Sequence, residues 1–146
     1  MDDHSYGQLS EREESRQPPS NRDTGAPVDE MALAQLRALD RPGRPSVFAR
    51  ILIQYLATAA EGVDKIREAI RAGDAATLNR VAHRLKSSSA QVGALSMANS
   101  CRELEAIGRS ARVDGASQVF ERLMKQHGAV AQALQIEIAK REGVQR

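Results

Sequence analysis

Apolar residues recur every three or four positions along most of this chain, and the clearest stripe follows Ser46. Its members are Phe48, Leu52, Tyr55, Leu56, Ala59, Val63, Ile66 and Ile70. This spacing matches the α-helical repeat of about 3.6 residues and gathers the apolar side chains on one face. The stripe predicts a long amphipathic helix up to about Arg71, with Gly62 as a weak point. Such a helix must bury its apolar face against other elements.

Other segments show the same spacing, and short breaks separate them. A short helix is predicted after the capping residue Asp29, with Leu33, Leu36 and Leu39 along one side of it. The Pro- and Gly-containing run 40–45 ends it, and Ser46 is placed to cap the long helix. Gly73 and Asp74 separate that helix from a third, predicted from about Ala75 to Val92.

Two more helices follow the turn at Gly93. A fourth helix is predicted from about Leu95 to Ser110, and a last helix follows the Asp114–Gly115 turn. The expected buried positions of the last three helices are Leu78, Val81, Ala82, Leu85, Ser89, Val92, Met97, Cys101, Leu104, Ile107, Phe120, Leu123, His127, Val130, Leu134 and Ile138. Four long amphipathic helices with short connections favour an antiparallel up-down bundle, with the short first helix as a lid.

Composition agrees with an all-α fold of one domain. The 146 residues are 41% hydrophobic but only 3% aromatic, without Trp. Runs of β-branched and aromatic residues, which favour strands, are missing. Residues 1–26 are polar and contain few apolar side chains, so we expect a flexible tail or linker there and a folded domain over 27–146.

The charge is unevenly distributed along the chain. The formal net charge is +2, but residues 1–25 contain six acids and three bases and leave +5 on the remainder. A mildly basic body suits an acidic protein partner, and charge by itself leaves nucleic acid possible. Cys101 is the only cysteine, which excludes an internal disulfide and a Cys-rich zinc site. The apolar run 51–60 is too short to span a bilayer, and the polar N-terminus does not resemble a signal peptide, so we expect a cytoplasmic location.

His83 lies on the third predicted helix, away from its apolar stripe. At about 100° per residue it stands roughly 140° from Leu78, the centre of that stripe. Lys86 and Ser87 follow at the third and fourth positions, so both side chains can reach the imidazole. The surrounding positions, which we expect to form a partner-binding surface, carry short side chains or arginines: Ala76, Asn79, Arg80, Arg84, Ser87 and Ala90.

This arrangement suits one kind of chemistry. An imidazole is largely uncharged near neutral pH, so it can attack phosphorus without a separate base. The ammonium of Lys86 can stabilise the negative charge of an attached phosphoryl group. Short neighbours leave room for a partner's active site to close over His83, and in-line transfer depends on such positioning.

Residues 82–94, read as AHRLKSSSAQVGA, resemble the signature of the histidine-containing phosphotransfer (HPt) domain family. In that signature Ala-His-x-Leu-Lys leads into small residues that end in Gly. The segment 101–105 is similar to the usual continuation, and the likeness extends more loosely over 28–139. The position after the lysine is often Gly in this family and is Ser87 here, which bears on the choice of partner.

The resemblance implies a role for each part. His83 would accept a phosphoryl group from a receiver-domain aspartate and pass it to a second receiver domain, and Lys86 would steady the phosphate. The carrier would act stoichiometrically and would not be an enzyme in its own right. It would need no cofactor, because the divalent metal would belong to the receiver domain. From the residues themselves, we expect no nucleic-acid partner and no membrane insertion of this segment. It could be a separate protein or the cytoplasmic end of a hybrid, membrane-bound sensor kinase.

Other interpretations of the same residues stay open. The chain could be a helical interaction module that binds its partner without phosphorylation, and a nucleic-acid binder is suggested only by the charge, since no recognition motif is present. His127 and Cys101 lie in apolar stripes and are interpreted as packing residues. His4 falls in the polar tail. The spacing suggests neither a Ser-His-Asp arrangement, nor a metal site near His83, nor a phosphate-binding loop for ATP.

Overall fold

A computed structural model describes residues 26–145 of the chain, and five helices account for most of them. The short α1 spans Glu30–Arg37. It is followed by α2 (Val47–Ala72), α3 (Ala75–Gln91), α4 (Leu95–Arg109) and α5 (Ala116–Gln145). The described residues contain no β-strand, which confirms the all-α prediction. The predicted tail falls almost wholly outside the described residues.

The four long helices form a ring in which each packs against two neighbours. The packed pairs are α2–α3, α3–α4, α4–α5 and α5–α2, and α1 lies on α2. Because the connections are short, consecutive helices run antiparallel, as expected for an up-down bundle. The largest side chains that the bundle buries completely are Phe48, Leu52, Ile66, Leu78, Met97, Leu104, Leu123 and Leu134. No helix within 26–145 has the length and apolar character needed to cross a bilayer.

Capping residues fix the helix ends near their predicted positions. The side chains of Asp29, Ser46 and Asp74 each accept a hydrogen bond from a backbone N–H in the first turn of the following helix. Gly73 ends α2 in the left-handed region, at φ +70°. The capping predictions are therefore confirmed, and Gly62 does not interrupt α2.

The prediction for the end of α1 was wrong. Leu39 lies beyond the helix and is exposed, although the spacing placed it with Leu33 along one side of the helix. The helix stops at Arg37, so the apolar repeat no longer determines where the next side chains point. Ile107, His127 and Ile138 are half-buried where full burial was expected.

Gly93 attaches the α1 end of the chain to the bundle. Its φ is +83°, and a Cβ there would lie 2.8 Å from the Ala32 Cβ and 3.1 Å from the Asp29 carbonyl oxygen. The Asp29 N–H donates to the Gly93 carbonyl at 2.8 Å. Only glycine provides both this backbone conformation and this clearance.

Asp40 connects three parts of the molecule. One carboxylate oxygen accepts the Phe48 N–H at 2.9 Å, and the other accepts the Ser46 hydroxyl and the Arg141 Nε, both at 2.6 Å. Burial acts to raise the pKa of Asp40, but these hydrogen bonds outweigh it and lower the pKa from 3.8 to about 2. The break after α1, the start of α2 and the end of α5 are thus held together.

Candidate functional site

His83 is presented from the outer face of α3. The helix turns Leu78, Val81, Ala82, Leu85 and Ser89 into the bundle. The side chain of His83, on the opposite face, is 59% exposed. The apolar repeat of α3 therefore directs the imidazole outward, as the helical spacing predicted.

A buried carboxylate from the neighbouring helix lies beside the ring. Glu105 is on the inner side of α4, with a side chain only 8% exposed. Its Oε1 lies 3.1 Å from His83 Nδ1 and 3.0 Å from a terminal nitrogen of Arg109. Its Oε2 lies 2.7 Å from Lys86 Nζ, close enough for an ion pair, although the angles fall short of a well-aligned hydrogen bond.

The surroundings of Glu105 favour its ionised form. The contact with the Lys86 ammonium lowers the pKa of Glu105, burial opposes this, and the His83 contact adds to the lowering. The carboxylate is therefore charged near neutral pH and acts only as an acceptor. The nitrogen that faces it, His83 Nδ1, is then the one that carries the ring proton in the neutral imidazole. This leaves the lone pair of Nε2 for chemistry.

The sequence suggested that the side chains of Lys86 and Ser87 could both reach the imidazole. In the structure, both side chains are bonded to other groups instead. Lys86 is directed to Glu105 and is 25% exposed, so its ammonium lies beside the site but is already paired. The Ser87 hydroxyl donates to the backbone carbonyl of His83 at 3.3 Å. Ser87 thus interacts with its own helix, which leaves the space above His83 open.

The predicted partner surface is mostly exposed. Ala76, Arg80, Arg84, Ser87 and Ala90 are all on the surface of α3. Asn79 differs from them because it is half-buried and donates from Nδ2 to the Glu105 carbonyl at 2.8 Å. Asn79 therefore links α3 to α4 at the level of the site.

Within the described part of the chain, the other residues considered from the sequence make no hydrogen bond or ion pair with His83. Cys101 is buried, and burial raises its pKa to about 12, so the thiol is unreactive at neutral pH. His127 is half-buried on α5, where desolvation lowers its pKa. Residues 26–145 contain no group of three or more His, Cys, Asp and Glu side chains that could hold a metal ion.

Sequence reasoning missed two members of the site. Glu105 and Arg109 are one turn apart on α4, and only the contact between α3 and α4 brings them to His83. The available signal was the position of Glu105, which follows Leu104 directly and Cys101 by one turn. Leu104 and Cys101 are both buried. Such a position on the apolar side of a helix requires a buried partner for the charge.

Fold and site together define a class of protein: a small antiparallel helical bundle that presents one imidazole from a helix face, supported by a carboxylate and an ammonium. Residues 50–139, more than half of the chain, match the sequence profile of the Hpt domain. The chain belongs to the Hpt domain family.

A solved structure has a similar fold. The fold is similar to that of histidine-containing phosphotransfer protein B (HptB) from Pseudomonas aeruginosa PAO1, with a TM-score of 0.71. The two chains are 24% identical, and the similarity covers 78% of this chain and 96% of HptB. Among curated protein sequences, none matches this chain significantly.

Proposed function

We propose that this chain is a phosphorelay carrier that accepts a phosphoryl group on Nε2 of His83 from a receiver-domain aspartate and passes it to a second receiver domain. The observation that carries the proposal is the exposed ring whose Nδ1 faces the buried, ionised Glu105. In the neutral ring, Nε2 then keeps its lone pair, which is what attack on phosphorus requires.

The transfer step follows from this arrangement. The Nε2 lone pair attacks the phosphorus of the aspartyl phosphate, the N–P bond forms and the P–O bond breaks. The donor aspartate leaves as a carboxylate. The ring keeps its Nδ1 proton and becomes cationic while it carries the phosphoryl group, and the negative charge of Glu105 stabilises that cation. The return step to a second aspartate is the reverse.

Lys86 and the surrounding arginines assist the transfer. The Lys86 ammonium lies 2.7 Å from Glu105, on the next turn of α3 after His83, so a rotation of its side chain would bring it to the phosphoryl oxygens. Exposed Arg80 and Arg84 complement an acidic pocket on the receiver and steer the encounter. The divalent metal belongs to the receiver, and the carrier acts stoichiometrically in the cytoplasm, as a separate protein or as part of a sensor kinase.

Phosphorylation of His83 is tested directly with labelled receivers. Each receiver domain of the source organism is charged with labelled phosphate and incubated with the full chain. We expect one or more to transfer an acid-labile, base-stable label, as a phosphohistidine requires. The His83→Gln variant should take up no label, and His127→Gln, which changes a histidine outside the site, should be labelled like the wild type.

The same variants separate this proposal from the alternative of a helical interaction module. A module that works without phosphorylation would keep full partner binding and full signalling in His83→Gln. Labelling that persists in His83→Gln would contradict the assignment of the acceptor, and full signalling without label would favour the interaction module.

A further inference from the structure

Gly108 lies where the backbone of α4 packs directly against the backbone of α3 near the site. A Cβ on this buried glycine would lie 2.6 Å from the Asn79 backbone nitrogen, 2.7 Å from the Ala75 carbonyl oxygen and 3.0 Å from the Asn79 Cα. All three atoms belong to the backbone, so no rotation of a side chain could make room. A larger residue at position 108 would have to push the two helices apart.

The same stretch holds a polar link between the helices. The Nδ2 of Asn79 donates to the carbonyl oxygen of Glu105 at 2.8 Å. Asn79 is thus in contact with α4 through its backbone at Gly108 and through its side chain at Glu105. This side-chain contact joins α3 and α4 one turn from the contact at Gly108.

The contact at Gly108 and the contact at His83 are one turn apart on both helices. Glu105 precedes Gly108 by three residues, and His83 follows Asn79 by four, so in an antiparallel pair they meet next to the glycine contact. His83 Nδ1 and Glu105 Oε1 are 3.1 Å apart, close to the upper end of the hydrogen-bond range. A separation of the helices by about 1 Å, which an added methyl group would require for ordinary contact, would break this bond.

We propose that Gly108 is a positioning residue for His83: the close approach it permits sets the distance between the imidazole and the Glu105 carboxylate, and with it the nitrogen that carries the ring proton. The inference deepens the proposed function, on which its kinetic readout rests. Its spectroscopic readout needs no partner, so this inference and the proposed function can fail separately.

The test is the Gly108→Ala variant in the full chain, with two measurements. Long-range ¹H–¹⁵N spectra identify the protonated ring nitrogen of His83, whose signals are assigned with the His83→Gln variant. We expect the proton on Nδ1 in the wild type and a mixture of Nδ1 and Nε2 forms in Gly108→Ala. Transfer from the receiver that labels the wild type should slow by on the order of 10- to 100-fold, the cost of a misplaced reacting group.

Gly128 provides the matched control. It is also a helical glycine, but no atom lies within 4 Å of the Cβ that alanine would add. Gly128→Ala should leave the ring signals and the transfer rate unchanged and should raise the unfolding midpoint, because alanine favours the helix. The double variant Gly108→Ala/Gly128→Ala then restores part of the stability while the contact at position 108 remains disturbed.

The outcomes decide between positioning and mere stability. Slow transfer and mixed ring signals in the double variant support positioning, whereas recovery of both along with stability would show a structural role only. If Gly108→Ala does not fold, Asn79→Ala removes the polar link without adding bulk, and its ring signals must shift in the same direction. Wild-type ring signals in whichever variant is tested would overturn the proposal.

Discussion

At the scale of single residues, Glu105 contacts the imidazole of His83, the ammonium of Lys86 and the guanidinium of Arg109. A carboxylate that is 8% exposed is costly to bury unless its charge is compensated, and here Lys86 and Arg109 compensate it. The contact between the carboxylate and Nδ1 orients the ring of His83. The arrangement keeps the imidazole oriented before a partner arrives. Removal of the charge of Glu105 or of Lys86 should therefore affect both the stability of the bundle and the reactivity of the ring.

We expect Glu105→Gln to destabilise the fold by about 2 kcal/mol, because it leaves the half-buried Lys86 ammonium without its counter-charge. It should also slow transfer to His83 by on the order of tenfold, since the ring loses its charged acceptor. Urea unfolding and labelling kinetics measure the two effects. Glu103→Gln, an identical change on the same helix, removes an exposed ion pair with Arg122 and should cost under about 1 kcal/mol.

A double-mutant cycle with Lys86→Met checks the physical reason. If the two side chains stabilise each other, the double variant should cost less than the sum of the single variants, by about 1 kcal/mol. Strict additivity of the unfolding free energies would contradict the pairing of Lys86 with Glu105. Lys86 would then have no role in stabilising Glu105, and only its proposed role toward the phosphoryl group would remain.

The sequence predicted the outward placement of His83 but not the groups that surround the ring. The helical repeat of α3 places His83 opposite Leu78, and that relation is local, so it survives folding. The contact with Glu105 joins residues 22 positions apart and depends on how closely α3 and α4 approach. The absence of a side chain at Gly108 permits that approach, and this becomes visible only when the opposite backbone is in place.

At the scale of elements, α1 is held by a contact that only a glycine allows. The Cβ of any residue at position 93 would lie 2.8 Å from Ala32 of α1, in addition to the cost of the positive φ. The glycines at positions 73 and 115 have the same sign of φ but nothing within 4 Å of a Cβ. Comparison of the three positions separates backbone strain from displacement of α1.

We therefore expect Gly93→Ala to cost about 3 kcal/mol of unfolding free energy, and Gly73→Ala and Gly115→Ala about 1 kcal/mol each. The excess at position 93 measures the docking of α1. Urea unfolding of the three variants is the measurement. Equal losses at all three positions would show that α1 contributes little to the stability of the bundle.

The ends of the helices were more predictable than the packing of their last turns. Caps at Asp29, Ser46 and Asp74 rest on hydrogen bonds within three residues, which a sequence pattern shows directly. The position of Leu39 depended on whether α1 continued past Arg37, and it does not. The loss of burial there followed from the length of the helix and not from the apolar pattern.

At the scale of the whole molecule, Asp40 and Arg141 join segments that are 101 residues apart. Because the folded pKa of Asp40, about 2, is below its ordinary value of 3.8, the fold favours the ionised carboxylate. Its contribution to stability is therefore complete above pH 4 to 5 and is lost as the pH falls through 3.8 towards 2. The lowered pKa of Glu105 acts with the same sign.

Asp40→Asn should lower the free energy of unfolding by about 2 kcal/mol at pH 7, and the difference from the wild type should shrink as the pH falls from 4 to 2. Urea unfolding across this pH range measures the change. Asp114→Asn, at an exposed aspartate in the turn before α5, should give a curve parallel to that of the wild type. A deficit for Asp40→Asn that persists at pH 2 would contradict the role of its charge.

The outward placement of His83 also limits how many partners the chain can serve at one moment. The imidazole projects from one face of α3, and the bundle closes off the other side of that helix. A docked receiver would cover the ring, so a second receiver could reach it only after the first had departed. Under the proposed function, loading and unloading would then alternate, and the chain would act as a shuttle between two proteins and not as a bridge that holds both.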